Sequence, residues 1–541
     1  MGPNNSGKSI ALREIRVRLE RPANQYETQV VVGDVGITRR VNTQQEMLDW
    51  LKEHRSVRHE SGTQIVRSAD VGNANAVQLA VDWQNLAGSG REFTGTLTSH
   101  LVKEMYCEAR LQFQGQAPRQ EPGAAPEQPV HWLVSKESYL ESFRSAFSSA
   151  FGMNVVLDAW GPNIRLRVSR SRSQEDFKTS TSSGIVDSSI SDKLSELPFI
   201  ESQSDGVRSF SSMILGLSAS PYPVVLIDEP EAFLHPPQAR LIGREIAKRN
   251  SDGQVFVATH SLDVLLGILS EDNVSVQVVR LTRDNDVTSS KVLNNEQLRL
   301  LWRDPLLRYS KALDGLFHDG VVVCEGDADS YFYSSIASNR SDSPPDIMYT
   351  FAGGKQRLHL IASALVAVGV PVRVVADFDI LNSLGILDRI VTALGAELSD
   401  DDRRNLRVVD SGVRGNQKQL NVAELRKDLL SLAESDEVVE LSDLVRDVDM
   451  VIHPKTGWKL VKTVGVSGVP NGDSTLSVKE LLARLRDMGL FVVPVGEVES
   501  FVPEASGHGP VWIANVFEGG HLNSSRDAQE FVSLLVDSFQ P

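Results

Sequence analysis

A chain of 541 residues with 41% hydrophobic and 23% charged residues has the composition of a folded polypeptide of two or more domains, which excludes disordered and fibrous classes. Its 55 Lys and Arg stand against 71 Asp and Glu, a net charge of −16, so a uniformly basic coat for nucleic acid or anionic lipid is excluded and any polyanion must be met by a local patch. The acid excess is uneven, with 32 acidic against 20 basic residues from Gly320 onward.

The chain opens on Gly2-Pro3-Asn4-Asn5-Ser6-Gly7-Lys8-Ser9, which fits the phosphate-loop pattern GxxxxGK[ST] in full. Gly2, Asn5 and Gly7 would shape a backbone cradle for ATP phosphates, Lys8 would reach the β and γ oxygens, and Ser9 would ligate Mg²⁺. A buried strand normally precedes such a loop; only Met1 does so here, and the N-terminal strand is expected to be missing.

From about 14 to 132 the text reads as a β-rich lobe, in short runs such as Thr28–Val32 and Ala76–Val81. Gly115 to His131 reads as a mobile surface loop, Ser135 to Phe151 has helical spacing, and Ser169 to Ser183 is a polar loop. A helix over Gly206–Leu217, a strand over Val224–Ile227, a helix over Pro237–Arg249, a strand over Gln254–Ala258 and a helix over Leu262–Leu269 then alternate, the signature of a mostly parallel α/β sheet. Together these make a first domain over 1–295. Leu298 to Phe317 reads as a linking helix within 296–319. A second α/β domain over 320–541 begins with a strand at Val321–Cys324, a helix from Asp329, the pair Gly353-Gly354, a helix over Leu358–Val368 and a strand over Val372–Ala376. A charged helical insertion at about 384–450 precedes a last strand at Phe491–Val495.

Three of these strands deliver carboxylates. Val224-Val225-Leu226-Ile227 ends in Asp228-Glu229, the arrangement in which the first acid holds a Mg²⁺ water and the second polarises the attacking water. Val321–Cys324 leads into Glu325 and Asp329, and Val374-Val375-Ala376 into Asp377 and Asp379. These acids stand where open α/β sheets place their ligands and could hold hard divalent cations through oxygen.

The phosphate loop, Asp228-Glu229, the following Glu231-to-Pro236 loop and Thr259-His260-Ser261 resemble, in this order, the motifs of ABC-type ATPases, the branch that includes heads of DNA repair and chromosome-maintenance proteins. The resemblance implies a dimer-facing loop at Glu231–Pro236 and catalytic roles for Glu229 and for a switch histidine, His260. It also implies a signature at Ser204-Asp205-Gly206-Val207-Arg208, with Ser204 and Gly206 acting on the nucleotide of a partner, so that a homodimer or higher homo-oligomer forms through the ATPase domains. Glu325 followed by Asp377 and Asp379 is similar to the Toprim pattern.

An ABC-type ATPase followed by Toprim resembles the OLD (overcoming lysogenization defect) family of ATP-dependent endonucleases, whose third acidic motif looks like Glu497 and Glu499 here. The resemblance implies two Mg²⁺ or Mn²⁺ ions among Glu325, Asp329, Asp377, Asp379, Glu497 and Glu499, and DNA cleavage regulated by ATP; metal-dependent phosphodiester chemistry does not itself select DNA over RNA. It also implies a setting in anti-phage defence, with room for a companion protein. Such nucleases carry a lysine after the last acidic motif; none follows Lys479 here, and Lys462 or Lys455 would have to supply that charge. The alternative is an ATPase sensor or clamp whose Toprim part does not cut. Two distant cysteines, Cys107 and Cys324, together with the lack of a long apolar run or signal-peptide pattern, point to the cytoplasm without a membrane partner.

Overall fold

The computed structural model describes residues 1–3, 6–21, 30–68, 72–88, 94–113, 115–121, 126–177, 188–218, 222–249, 253–272, 274–284, 287–293, 311–340, 346–415, 422–434, 444–445, 448, 451 and 457–539. The chain divides into two compact units, Met1–Trp302 and Arg303–Pro541.

In the first unit, strands Val102–Met105, Val224–Asp228 and Gln254–Ala258 pair in parallel, with Val224–Asp228 in the middle. Leu226 on that central strand packs with Leu12 and Leu19 of the Lys8–Glu20 helix, while Val225 and Ile227 join Phe143, Phe147, Phe210 and Met213 in a second core. Val224–Ile227 is apolar throughout because both faces of the strand are covered. An antiparallel sheet of Gln116–Pro118, Asn163–Ser169 and Asn154–Asp158, a second of Ser56–Glu60, Thr63–Ser68 and Gly72–Asn75, and a hairpin of Val278–Asp284 with Val287–Leu293 complete the unit's strands among the described residues.

Several expectations need correction. The 14–132 segment is mixed rather than β-rich, since helices Lys8–Glu20, Gln44–His54 and Ala76–Gly88 account for much of it. Ala76–Val81, read as a strand, opens the last of these; Ala76, Leu79, Ala80 and Trp83 are its buried face, at helical spacing. Of the Thr28–Val32 run, residues 28–29 lie outside the described residues and Val30–Val32 is not a strand: its three backbone N–H groups donate to the Glu14 carboxylate at 2.7 to 3.0 Å. The segment read as a surface loop contains the strand Gln116–Pro118 and the start of the Pro129–Ser135 helix. The Met1 terminal ammonium donates to the Val279 carbonyl (2.7 Å), and the Met1 carbonyl accepts from Leu281 N–H (2.8 Å).

In the second unit, strands Ile347–Phe351, Gly320–Cys324, Val372–Ala376 and Leu490–Val492 lie in that order, all parallel. The central Gly320–Cys324 is buried at every position. One core is strongly aromatic, with Phe332, Tyr333, Phe501, Trp512 and Phe531 in mutual ring contact. The helical segment between the third and fourth strands extends well past 450, through helices Trp458–Val464 and Asp473–Asp487. Of the expected linking helix, residues through 310 lie outside the described residues, and Lys311–Phe317 is a 3-10 helix.

Candidate nucleotide and metal sites

The phosphate loop closes on its own lysine. Lys8 Nζ donates to the carbonyls of Gly2 (2.8 Å) and Pro3 (2.7 Å), and burial lowers its pKa against the opposing pull of Glu229, Glu231 and Asp228. Gly2 is tightly placed, because a Cβ there would stand 2.0 Å from the Leu281 carbonyl oxygen. Asn5 lies outside the described residues. Ser9 Oγ donates to Asp228 Oδ1 at 2.9 Å, which joins the first turn of the loop helix to the end of the central strand. Burial raises the Asp228 pKa, and the Ser9 hydrogen bond opposes that rise.

Glu229 sits one residue beyond, with a left-handed φ of 46°, a conformation that costs a non-glycine residue on the order of 1 kcal/mol or more. Its N–H donates to the Ala258 carbonyl (2.8 Å), and Oε1 is 3.8 Å from His260 Nδ1. Glu231, read from sequence as the first residue of a dimer-facing loop, is instead held inward with a side chain only 10% exposed. Thr259 Oγ1 lies 2.8 Å from both of its carboxylate oxygens, His260 N–H donates to Oε1 (2.9 Å), and His260 Nδ1 stands 3.2 Å from Oε1. Ser204 immediately precedes the Asp205–Ser218 helix. Gly206 is pressed against the loop after the acids, for a Cβ there would lie 2.6 Å from the Phe233 carbonyl oxygen.

The second site is built at the C-terminal edge of the four-stranded parallel sheet, because parallel strands bring all their following residues to one side. Glu325, Asp377 and Asp379 each offer an oxygen within 4.8 Å of the others. Asp377 N–H donates to Glu325 Oε1 (3.1 Å), and Phe378 N–H donates to the Gly496 carbonyl (2.8 Å), which ties this motif to the third. Burial, then mutual repulsion among the acids, raises Glu325 to about 7 and Asp377 to about 9. Burial also lifts Asp329 to about 6; its Oδ2 accepts from Gly326 N–H (2.9 Å), capping its own helix, and its charge adds to the repulsion on Glu325 and Asp377. Glu497 and Glu499 form a separate group with His508, whose Nδ1 is hydrogen-bonded to Glu499.

Lys462 reaches both groups, its Nζ 3.9 Å from Asp377 Oδ2 and 3.7 Å from Glu497 Oε2. Its helix is pinned to the third motif by Ser500 Oγ donating to the Thr463 carbonyl (2.7 Å) and Val466 N–H donating to the Pro494 carbonyl (2.9 Å). Burial pulls its pKa down, but Asp377, Asp379, Glu497 and Glu325 outweigh that and hold it above its ordinary value. Lys455 lies outside the described residues.

Residues 166–267 match the family described as "AAA domain, putative AbiEii toxin, Type IV TA system", and residues 316–379 match "Overcoming lysogenization defect protein-like, TOPRIM domain". The Old nuclease of Escherichia phage P2 is 20% identical over 292 residues, 51% of this chain and 43% of that protein. The chain thus joins a match to an AAA-type ATPase domain and a match to an OLD-like TOPRIM domain in one polypeptide. It spans less than half the length of that curated relative. Among solved structures, an SMC head bound to the C-terminal winged-helix domain of ScpA aligns at 13% identity over 55% of this chain and 90% of that one, with a TM-score of 0.33. The SMC head domain from Thermotoga maritima aligns at 14% identity over 54% and 88%, with a TM-score of 0.27.

The donor set fits a hard divalent cation: the trio is all oxygen and half-buried, and burial first, then repulsion among the acids, raises the pKa values of Glu325 and Asp377. Sequence reading missed His508 and Lys355, and placed Glu231 only in a dimer-facing loop, without its contacts to Thr259 and His260. Lys355 Nζ lies 2.7 Å from Asp379 Oδ2, delivered by the Gly353-Gly354 turn after strand Ile347–Phe351. The glycine pair was the available signal; the ion pair spans 24 residues and leaves no local pattern. No helix among the described residues is long and apolar enough to cross a membrane.

Proposed function

We propose that this chain is an ATP-regulated, divalent-metal-dependent nuclease that cleaves DNA phosphodiester bonds, with anti-phage defence as its setting. The observation that carries the reading is the convergence of Glu325, Asp377 and Asp379 within 4.8 Å at one sheet edge, with Lys462 within 4 Å of Asp377 and Glu497. When bound there, two Mg²⁺ or Mn²⁺ ions would supply Lewis-acid stabilisation of the leaving oxygen and a more acidic water. Glu325, Asp377 and Asp379 would hold one ion, and Glu497 and Glu499 the other, with Asp329 fixing the Glu325 segment through its cap. Lys462 offers a cation to a phosphate oxygen, and the charge it places beside the acids lowers the repulsion an incoming polyanion meets.

In the first unit Lys8 and Ser9 would bind ATP phosphates and Mg²⁺ together with Asp228, Glu229 would orient the attacking water, and His260 would contact the γ-phosphate. Ser204 and Gly206 would act on the nucleotide of a second copy, so ATP would join two chains. Purified protein incubated with supercoiled plasmid and Mg²⁺ or Mn²⁺, with and without ATP, tests the reading. Cutting by wild type and none by Glu325→Gln or Asp377→Asn is expected. Intact DNA and RNA under every condition, or undiminished cutting by Glu325→Gln, would overturn it.

A further inference from the structure

Arg110 belongs to neither the phosphate loop, the acidic strand nor the signature pattern, yet it is 1% exposed and lies among all three acids of the nucleotide site, Asp228, Glu229 and Glu231. It sits on the short helix Cys107–Leu111 that follows strand Val102–Met105. Its guanidinium makes four hydrogen bonds. Nη1 donates to the carbonyls of Met105 (2.8 Å) and Asp228 (2.7 Å), Nη2 to the Glu229 carbonyl (2.7 Å), and Nε to Ser209 Oγ (3.3 Å).

Ser209 is 0% exposed and lies in the first turns of the Asp205–Ser218 helix, directly behind the Ser204–Arg208 pattern. The same helix makes a second link to this segment, because Arg208 Nη1 donates to the Leu111 carbonyl at 3.1 Å. The acceptors on the acidic strand are backbone carbonyls, so Arg110 fixes the main chain where Glu229 turns left-handed, and that turn decides where the Glu229 carboxylate points. A planar fork can span acceptors on three elements at once, which a lysine ammonium on a single stem does not do.

We propose that Arg110 is a positioning residue that couples the signature helix to Glu229, so that engagement of the Ser204–Arg208 turn with a nucleotide sets the Glu229 carboxylate for hydrolysis. The proposal rests on the ATPase reading above. It is tested on the full chain with Arg110→Lys, Ser209→Ala and the double variant, measuring the Kd of a fluorescent ATP analogue, kcat and KM for ATP, and thermal unfolding. Lys8→Ala and Glu229→Gln serve as controls.

Arg110→Lys is expected to bind nucleotide within roughly threefold of wild type while kcat falls roughly tenfold or more. Ser209→Ala should lower kcat by roughly threefold at constant KM, and should have no further effect in the Arg110→Lys background, since both remove one link. An unchanged kcat in Arg110→Lys, a loss of kcat matched by an equal loss of binding, or effects that multiply in the double variant would overturn the coupling while leaving the ATPase reading intact. If Arg110→Lys does not fold, an unchanged kcat in Ser209→Ala overturns it. Hydrolysis by wild type no faster than by Lys8→Ala removes the ATPase reading and the coupling together.

Discussion

The two sites solve opposite electrostatic problems. In the nucleotide unit the groups that would meet ATP already have internal partners: Lys8 is satisfied by the Gly2 and Pro3 carbonyls, Ser9 by Asp228, and Glu231 by Thr259 and His260. Ligand there exchanges one set of hydrogen bonds for another. In the Toprim unit Glu325, Asp377 and Asp379 crowd together with Lys355 and Lys462 as flanking cations, and two of the three acids are pushed far above the usual carboxylate range. On the proposed reading, a cation there would offset both the burial of these acids and their repulsion. The first site is wired before its ligand arrives, and the second would be completed by it.

The largest expected effects separate the two sites. Asp377→Asn should reduce DNA cleavage by about 10³-fold or more while ATP hydrolysis stays near wild type, and Lys8→Ala should abolish nucleotide binding while leaving Mn²⁺ binding to the Toprim unit unaltered. Plasmid cleavage, ATPase assays and metal titration on the same preparations check both. Loss of metal binding in Lys8→Ala would break the separation.

An intermediate effect tests what Lys462 does. Lys462→Met removes a positive charge near Asp377 and Glu497, so Mn²⁺ should bind as tightly or more tightly while cleavage falls roughly tenfold or more. Weaker metal binding would instead mean that Lys462 organises the ligands.

The charge imbalance also has a pH signature. Glu325, Asp377 and Asp329 hold protons in the native state at pH values where an unfolded chain, with acids near 4, has released them. In EDTA the stability these protons confer is present at acid pH and is lost as pH rises through about 6, 7 and 9, so the unfolding midpoint should fall across that window. Mg²⁺ should flatten the slope, and so should Asp377→Asn. Differential scanning fluorimetry across pH 5 to 9 reads this, and a midpoint that rises over the window would contradict the proposed charge balance.

A smaller effect belongs to the wired site. Glu231→Ala leaves the Thr259 hydroxyl and the His260 N–H without their acceptor, which should destabilise the first unit by about 1–3 kcal/mol and slow ATP hydrolysis several-fold without touching metal binding. Chemical denaturation and steady-state kinetics measure the two parts.

What was legible in the sequence follows from the same contrast. Strands Val224–Asp228, Gly320–Cys324 and Val372–Ala376 are short runs of mostly apolar residues, Arg373 excepted, that end in or lead directly into acids, so each advertised itself locally and could be located to within a residue or so. The Ala76–Gly88 helix did not: a short Val-Gln-Leu-Ala-Val stretch alternates well enough to pass as a strand until Trp83, one helical turn beyond Leu79 and Ala80, is counted with them. The contacts of Glu231, Lys355 and Arg110 were illegible for another reason. Their partners lie 28, 24 and 118 residues away, so no window of sequence contains both ends of the interaction. Lys462 was one of two lysines offered, with Lys455, for the charge this sequence lacks after the last acidic motif, and its place beside Asp377 depends on a helix pinned from Ser500, 37 residues after Thr463.

The central claim, that the Toprim acids are an unbalanced cluster completed by a divalent cation, is tested most directly by titrating Mn²⁺ into nucleotide-free protein at pH 7.5, a working pH in the upper part of the titration window, while recording proton release. Wild type should bind saturably with release of protons, and Asp377→Asn should lose both the binding and the release. Equal Mn²⁺ binding by the two proteins, or binding with no proton release, would contradict the account.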